Sequence, residues 1–380
     1  MLRFFLPTLL LLAVACQPNA EVETPQREYI YAGTYSVRGS EGVYVLEFQR
    51  DSSKLEIVQT AGTPESPSFL EISPDGRFLY TTNRAGLDTI TPFGSVSSFT
   101  INPDDGKLAP IDVVSAYGIG PCHIQLSADG RWLYISNYSG GTVSVLSVGE
   151  NGAAGPLADS LKHTGSSVNT SRQNEPHTHS AQPVPQTPYF MVADLGIDKL
   201  MIYEMKEGKI TPAPVPFVAT EPGTGPRHFA FHPGTGKLYV GEELTSSVSV
   251  HDLDIANGIN QQIQRLSTLP DTFSQRNSVA DIHFSPDGKF LYVSNRGHNS
   301  LAIFSVDSDT GKLTPAGFQE TMGKTPRNFM IDPKGEFVFV AHQDSDNIVG
   351  FKRDPASGLL TFAGINVTVP SPVCLKMVTH

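Results

Sequence analysis

The sequence is poor in cysteine, in tryptophan and in charge. Three cysteines and one tryptophan occur in 380 residues, too few cysteines for the disulfide framework on which small secreted domains rely. Charged residues make up 17% of the chain and the formal net charge is −11. With no basic run and no basic–aromatic interleaving, a nucleic-acid partner is excluded. No apolar run reaches the ~20 residues that cross a membrane as a helix, and no stretch carries a convincing amphipathic helical period. Gly-x-Ser-x-Gly, Ser-x-x-Lys and a Gly-rich phosphate loop ahead of a helix are all missing, which argues against nucleophilic-serine chemistry and nucleotide binding.

What is present begins with MLRFFLPTLLLLAVAC: a basic Arg3, an apolar stretch from Phe4 to Leu12, and small residues ending at Cys16. This is the layout of an export signal over residues 1–15. Ala13, Val14 and Ala15 before the cysteine fit a lipobox, so Cys16 is expected to be lipidated and to become the mature N-terminus. Residues 16–27 are polar and featureless and read as a flexible tether, with the folded domain over 28–380. The expected location is the periplasmic or cell-surface face of a bacterial membrane, with membrane contact through the lipid alone. The two remaining cysteines, Cys122 and Cys374, read as buried thiols.

Within the domain a phrase recurs: SPDGRFLY at 73–80, SADGRWLY at 127–134, HPGTGKLY at 232–239, SPDGKFLY at 285–292 and DPKGEFVF at 332–339. Pro and Asp initiate a tight turn, Gly supplies a backbone angle other residues resist, and the alternating apolar run that follows suits a strand. Degenerate copies stand at 186–191 and 29–35. The anchors Tyr31, Tyr80, Tyr134, Met191, Tyr239, Tyr292 and Phe339 fall about 50 residues apart, with further alternating strands between them. Four short strands per unit predict an all-β, seven-bladed β-propeller with antiparallel blades. Every later unit opens with a strand of the form SPSFLEI (66–72), GPCHIQL (120–126) or TPRNFMI (325–331), which the first unit lacks. SPVCLKM at 371–377 matches that form, so the C-terminal strand is expected to pair into the first blade and close the ring.

In such a blade the start of the innermost strand and the end of the next lie at one channel mouth. The starts supply Cys122, His123, His177, His179, Arg227, His228, Asp281, Arg327 and Asn328. The strand ends supply Thr34, Tyr35, Asn83, Arg84, Asn137, Tyr138, Asp194, Glu242, Glu243, Asn295, Arg296, His342 and Gln343. Asn83, Asn137 and Asn295 recur in register and read as braces for the turn. Arg227, Glu243, Arg296 and His179 do not recur as a set and are the better functional choices, catalytic or substrate-binding, with His123, His177, His228, Asp194, Arg327 and Gln343 as further substrate-binding candidates around a polar and anionic small molecule. His177 and His179, two apart on an extended strand, could share a face toward a metal, but no second compact cluster accompanies them; neither a metal nor a cofactor is expected. His232 and His283 fall outside the mouth register and read as structural.

GPCHIQLSADGRWLYISNYSGGTVSV (120–145), RQNEPHTHS (172–180), GPRHFAFHP (225–233), EEL (242–244), SNRGHNS (294–300) and TPRNFMIDP (325–333) resemble the 6-phosphogluconolactonase-type lactonases, a seven-bladed family related to the fungal carboxy-muconate lactonising enzymes. The resemblance covers essentially the whole domain. It implies that His179, Arg227, Glu243 and Arg296 form the active-site group and that water opens a lactone without a covalent intermediate. It implies that Glu243 or His179 acts as general base and that the two arginines hold the substrate's anionic group and the oxyanion. The chain departs from the family at Glu242, where an Asn is usual. Export argues for an unphosphorylated sugar lactone over the phosphorylated one. The alternatives are a muconate-type lactonising cycloisomerase using the same residues and a non-catalytic propeller that binds a sugar or a partner. A monomer is expected.

Overall fold

Each SPDG-type phrase folds as its chemistry dictates. In SPDGRFLY the Ser73 hydroxyl donates to the Asp75 carboxylate at 2.6 Å and accepts from Phe78 N at 2.9 Å, while Gly76 sits at φ 70°. The same serine–aspartate pair recurs at Ser127–Asp129 and Ser285–Asp287, with Gly130 and Gly288 at φ 69° and 70°. These turns link the innermost strand of a blade to the second. The computed structural model describes residues 1–2, 27–86 and 92–380; Cys16 and all but the first two residues of the segment expected to be an export signal lie outside the described residues.

Among the described residues there are 28 strands and no helix, arranged as seven four-stranded antiparallel sheets. Six blades each use four consecutive strands. The first takes Glu28–Thr34, Gly42–Gln49 and Lys54–Gly62 from the N-terminal end of the domain and Pro372–Thr379 from the C-terminal end. Tyr31 faces Lys376 in that pairing and Ala32 faces Leu375, as the match of SPVCLKM to SPSFLEI predicts. The pairing runs on to Arg27 and His380, whose backbones exchange hydrogen bonds of 2.9 and 3.0 Å.

Apolar residues of alternating strands pack between blades, so the core is a ring of inter-sheet layers. Tyr31, Tyr80, Tyr239 and Tyr292, four of the seven anchors, are at most 1% exposed. Tyr31 donates its hydroxyl to the carbonyl of Gly106 at 2.8 Å and Tyr292 to that of Gly358 at 2.7 Å, and Tyr239 makes the same bond to Gly311. Each tie crosses from one blade to the outer hairpin of the next. Tyr292→Phe leaves the Gly358 carbonyl short of a buried donor and is expected to destabilise by ~1–3 kcal/mol, read as a lowered urea midpoint with an unchanged m-value.

Candidate active site

The innermost strands begin at Pro67, Pro121, Thr178, Pro226, Ser278 and Pro326. In all six blades the pairing with the second strand shifts register just inside that start, for example between Pro121 and His123 and between Pro226 and His228. Such a bulge leaves two successive residues on one side of the strand. The channel wall therefore carries an upper ring, with Ser68, Cys122, His179, Arg227, Ala280 and Arg327, and directly beneath it a second ring with Phe69, His123, Ser180, His228, Asp281 and Asn328. The residue before several of these strands has left-handed backbone: Gly120 at φ 65° and Gly225 at φ 64°, but also Ser66 at 57° and Thr325 at 60°. A non-glycine residue there costs about 1 kcal/mol, and it turns the chain sharply into the mouth.

The second strands carry a buried polar residue at or one place before their end, Thr34, Asn83, Asn137, Glu242, Asn295 and His342, and the residues that follow these complete the mouth: Tyr35, Arg84, Tyr138, Glu243, Arg296 and Gln343. Glu243 is its centre. Its Oε1 accepts from Arg172 at 2.7 Å and its Oε2 from Arg296 at 2.8 Å, while Arg227 Nε lies 3.1 Å from Oε2 as an ion pair without hydrogen-bond geometry. Arg227 is also tied to the Ala280 carbonyl and Arg296 to the Val279 carbonyl at 2.8 Å. Arg227 is 2% exposed and Glu243 5%, so the cluster is held inside the wall with its guanidiniums fixed in place.

Burial alone would raise the Glu243 carboxyl, but the charges of Arg296, Arg227 and Arg172 outweigh it and hold the group down at about 2. Burial, with Arg296 and Arg327 close by, lowers the Arg227 guanidinium to about 9; it remains a cation at neutral pH. The His179 imidazole is pushed well below its ordinary value by burial and by Arg227 and His228, so it is neutral at working pH. Its Nδ1 is buried without a hydrogen-bond partner among the described residues. Cys122, half-buried rather than buried as the sequence suggests, is raised to about 11 by burial and is a neutral thiol at working pH.

His179, Arg227, Glu243 and Arg296 all sit at this mouth. Two further residues join them. Arg172, which sequence reasoning missed, arrives on the loop ahead of the fourth blade, where Gln173 anchors the chain by donating to Leu195 O and Asp198, both at 2.8 Å. Arg172 donates to the Tyr138 hydroxyl at 3.1 Å as well as to Glu243. The Tyr138 ring stacks on His177 at 4.5 Å and meets the edge of His179 at 5.6 Å. The only sequence signal for Arg172 was its place in the stretch RQNEPHTHS.

Other sequence-predicted residues separate by depth. Arg327 lies over the Tyr35 ring at 5.3 Å, as does Arg84, and reaches the Gln343 side-chain oxygen at 3.4 Å; Arg327 and Gln343 belong to the mouth. His177 precedes its strand and bonds the Tyr138 carbonyl at 3.1 Å, so it does not share a strand face with His179. Among the described residues no group of three or more His, Cys, Asp and Glu has metal-holding geometry. His123 and His228 stand in the second ring, their centroids 5.6 Å apart, with Phe69 packed on His123 at 4.2 Å. Asp194 is turned away from the mouth: its carboxylate is engaged by His163 at 2.6 Å and by the backbone amides of His177 and Gly196. It braces the blade, as do Asn83, Asn137 and Asn295, each fully buried and bonded to a serine of its own blade, with Asn295 also donating to the Thr268 carbonyl after the preceding blade. Glu242 is buried likewise and occupied by Ser247 and Arg265, which leaves Glu243 free of it.

Below the second ring the channel widens again into a cavity of about 700 Å³ on the opposite face, lined by His123, Gln125, Gln182, His228, Asp281 and His283 among others. His232 braces its turn, accepting from Gly234 N and Thr235 N, as its place outside the mouth register suggests. His283 does not: it faces this cavity and bonds Asp281.

Comparison with known proteins agrees with the fold. The family model described as lactonase, 7-bladed beta-propeller matches residues 29–377. A protein of Bacillus subtilis named 6-phosphogluconolactonase is 34% identical over 346 residues, covering 91% of this chain and 97% of its own. One of the same name from Formosa agariphila is 33% identical over 298 residues, covering 77% and 82%. Among solved structures, the periplasmic gluconolactonase of Pseudomonas aeruginosa superposes with a TM-score of 0.86 at 33% identity, covering 93% of this chain and 99% of its own. By fold, by length matched and by sequence, this chain belongs to the lactonase family of seven-bladed β-propellers.

Proposed function

We propose that the chain hydrolyses a sugar lactone at the Glu243 mouth, as an exported, lipid-anchored monomer. The observation that carries this reading is the fixed set of guanidiniums around one carboxylate, beside a neutral imidazole with a free nitrogen. Ring opening turns a carbonyl oxygen into an oxyanion and then a neutral ester into a carboxylate. Cations held before the reaction begins stabilise that charge most effectively. Arg227 and Arg296 are so held, and bidentate guanidinium geometry suits both oxyanion and carboxylate. Glu243, with both oxygens engaged and its carboxyl low, is the counter-anion that orders the arginines rather than a base. The free Nδ1 of His179 accepts a hydrogen bond from the attacking water.

The substrate we infer is an unphosphorylated aldonolactone of the gluconolactone type. The export-signal layout ending at Cys16 supports it, since phosphorylated sugars are cytoplasmic intermediates, and so does the likeness to a periplasmic gluconolactonase. The test is kcat/KM for glucono-δ-lactone against its 6-phosphate, followed by acid release at neutral pH. Turnover of the unphosphorylated ring at a comparable or higher kcat/KM is expected. Turnover of the phosphate ester alone would contradict the substrate, and turnover of neither would favour a non-catalytic binding propeller.

A further inference from the structure

The second ring of the channel holds a bonded unit that the ring opening described above does not use. His228, Asp281 and Asn328 occupy equivalent positions on three successive innermost strands. His228 Nδ1 lies 2.7 Å from Asp281 Oδ1 and His283 Nε2 2.9 Å from Oδ2. Asn328 donates its amide to Oδ2 and accepts from Leu375 N at 2.6 Å, which locks the group to the closing strand. Asp281 is 3% exposed and His228 7%.

Burial would raise the Asp281 carboxyl, but His283 and His228 beside it outweigh burial and keep it well below the usual range. An ionised Asp281 accepts the Nδ1–H of His228, which fixes the tautomer and leaves the lone pair on Nε2. That Nε2 is buried and has no hydrogen-bond partner among the described residues. The ring packs edge-on against His179, centroids 5.2 Å apart, whose Nδ1 is also unpartnered. His228 further lines a small chamber beneath the mouth together with Arg227, Arg327 and Tyr35. An imidazole with one nitrogen on a buried carboxylate and the other free beside fixed cations is built to take and return a proton. Among the described residues no carboxylate bonds His179.

We propose, resting on the lactonase reading, that His228 carries the proton in the ring opening and that Asp281 is its positioning residue. Water's oxygen bonds to the lactone carbonyl carbon while its proton passes to His228 Nε2. The tetrahedral oxyanion, held by Arg227 and Arg296, then collapses, the carbon–oxygen ring bond breaks, and the proton returns from Nε2 to the departing ring oxygen. The product is a hydroxy acid whose carboxyl loses its proton to solvent, and His228 ends neutral as it began. Around His228 stand Arg227, Asp281, His283, His123 and His179. Burial and Arg227 hold its imidazole down at about 4 against the pull of Asp281. The oxyanion that forms on Arg227 offsets that cation, so Nε2 gains basicity as the reaction proceeds.

The test uses the full-length protein, with wild-type turnover of glucono-δ-lactone measured first. His228→Gln keeps an amide donor for Asp281, and its kcat is expected to fall ~10²-fold or more with KM little changed and an unchanged circular dichroism spectrum. In His228→Ala the vacated space adjoins the cavity on the opposite face, and added imidazole is expected to restore kcat saturably, which a structural role would not produce. Whichever variant is folded decides. A His228→Gln enzyme with near wild-type kcat, or a folded His228→Ala enzyme indifferent to imidazole, overturns the proposal while leaving the lactonase reading intact. A wild type that opens no lactone overturns both.

Discussion

Glu243→Gln is expected to lower kcat/KM for lactone ring opening by ~10²–10³-fold, the loss that follows when a preorganised oxyanion site is disordered. The side chain changes little in shape, so the effect is one of charge. With the carboxylate gone, Arg172, Arg227 and Arg296 face one another around a neutral amide. Arg227, 2% exposed and already lowered to about 9 by burial and its cationic neighbours, loses the partner that holds it charged. Removing one member of a buried ion pair destabilises by ~3–5 kcal/mol, so a lowered urea midpoint should accompany the kinetic loss. Glu243→Asp, which restores the charge at a shorter reach, should recover part of both. A propeller that only binds a neutral ligand predicts the opposite pattern, with ligand affinity nearly intact in Glu243→Gln. Steady-state kinetics and urea unfolding on the three proteins separate these outcomes.

Deleting residues 371–380 is expected to abolish folding. The strand Pro372–Thr379 is the channel wall of the first blade, and without it the strand Glu28–Thr34 becomes an open edge at the centre of the ring. The deletion removes Val373, Cys374, Leu375 and Val378, none more than 8% exposed. At ~1.5–3 kcal/mol for each fully buried large apolar side chain, their combined contribution matches the ~5–15 kcal/mol by which a whole domain is stable. The loss also frees Asn328 from Leu375 and so reaches the second ring. Joining His380 to Arg27 and opening the chain at the Glu207–Gly208 turn keeps the strand in place, and that permutant is expected to fold. Size-exclusion chromatography and the cooperativity of thermal unfolding report both results.

The propeller was legible because its signal is repeated. A turn phrase found five times fixes strand order and spacing, and the one missing inner strand points to the C-terminus that supplies it. The mouth was legible for the same reason: once an anchor such as Tyr239 or Tyr292 is placed, the residue four positions on must reach the rim, and these are Glu243 and Arg296. Arg172 was not legible because it stands on a loop outside the repeat, where no register says which way a side chain turns. Depth was not legible either. Asp194 occupies the same strand-end position as Asn295, and only the three-dimensional partners His163 and Gly196 reveal that it braces the blade. The bulge at each inner strand start sends residues such as Arg227 and His228 to one side of the wall, against the alternation a sequence pattern assumes. The mouth register reads His283 as structural because it lies deeper along its strand than the mouth, and nothing in that register points to the cavity on the opposite face.

The central claim is that water opens a lactone at the Glu243 mouth without a covalent intermediate. Its most direct test is a single turnover of glucono-δ-lactone by excess enzyme in ¹⁸O-labelled water, quenched before spontaneous opening contributes and read by mass spectrometry. The account predicts gluconate formed well ahead of the spontaneous reaction, with one ¹⁸O in its carboxylate on the first turnover. No acceleration over the spontaneous rate, or a first-turnover product without label because an enzyme carboxylate supplied the oxygen, would contradict it.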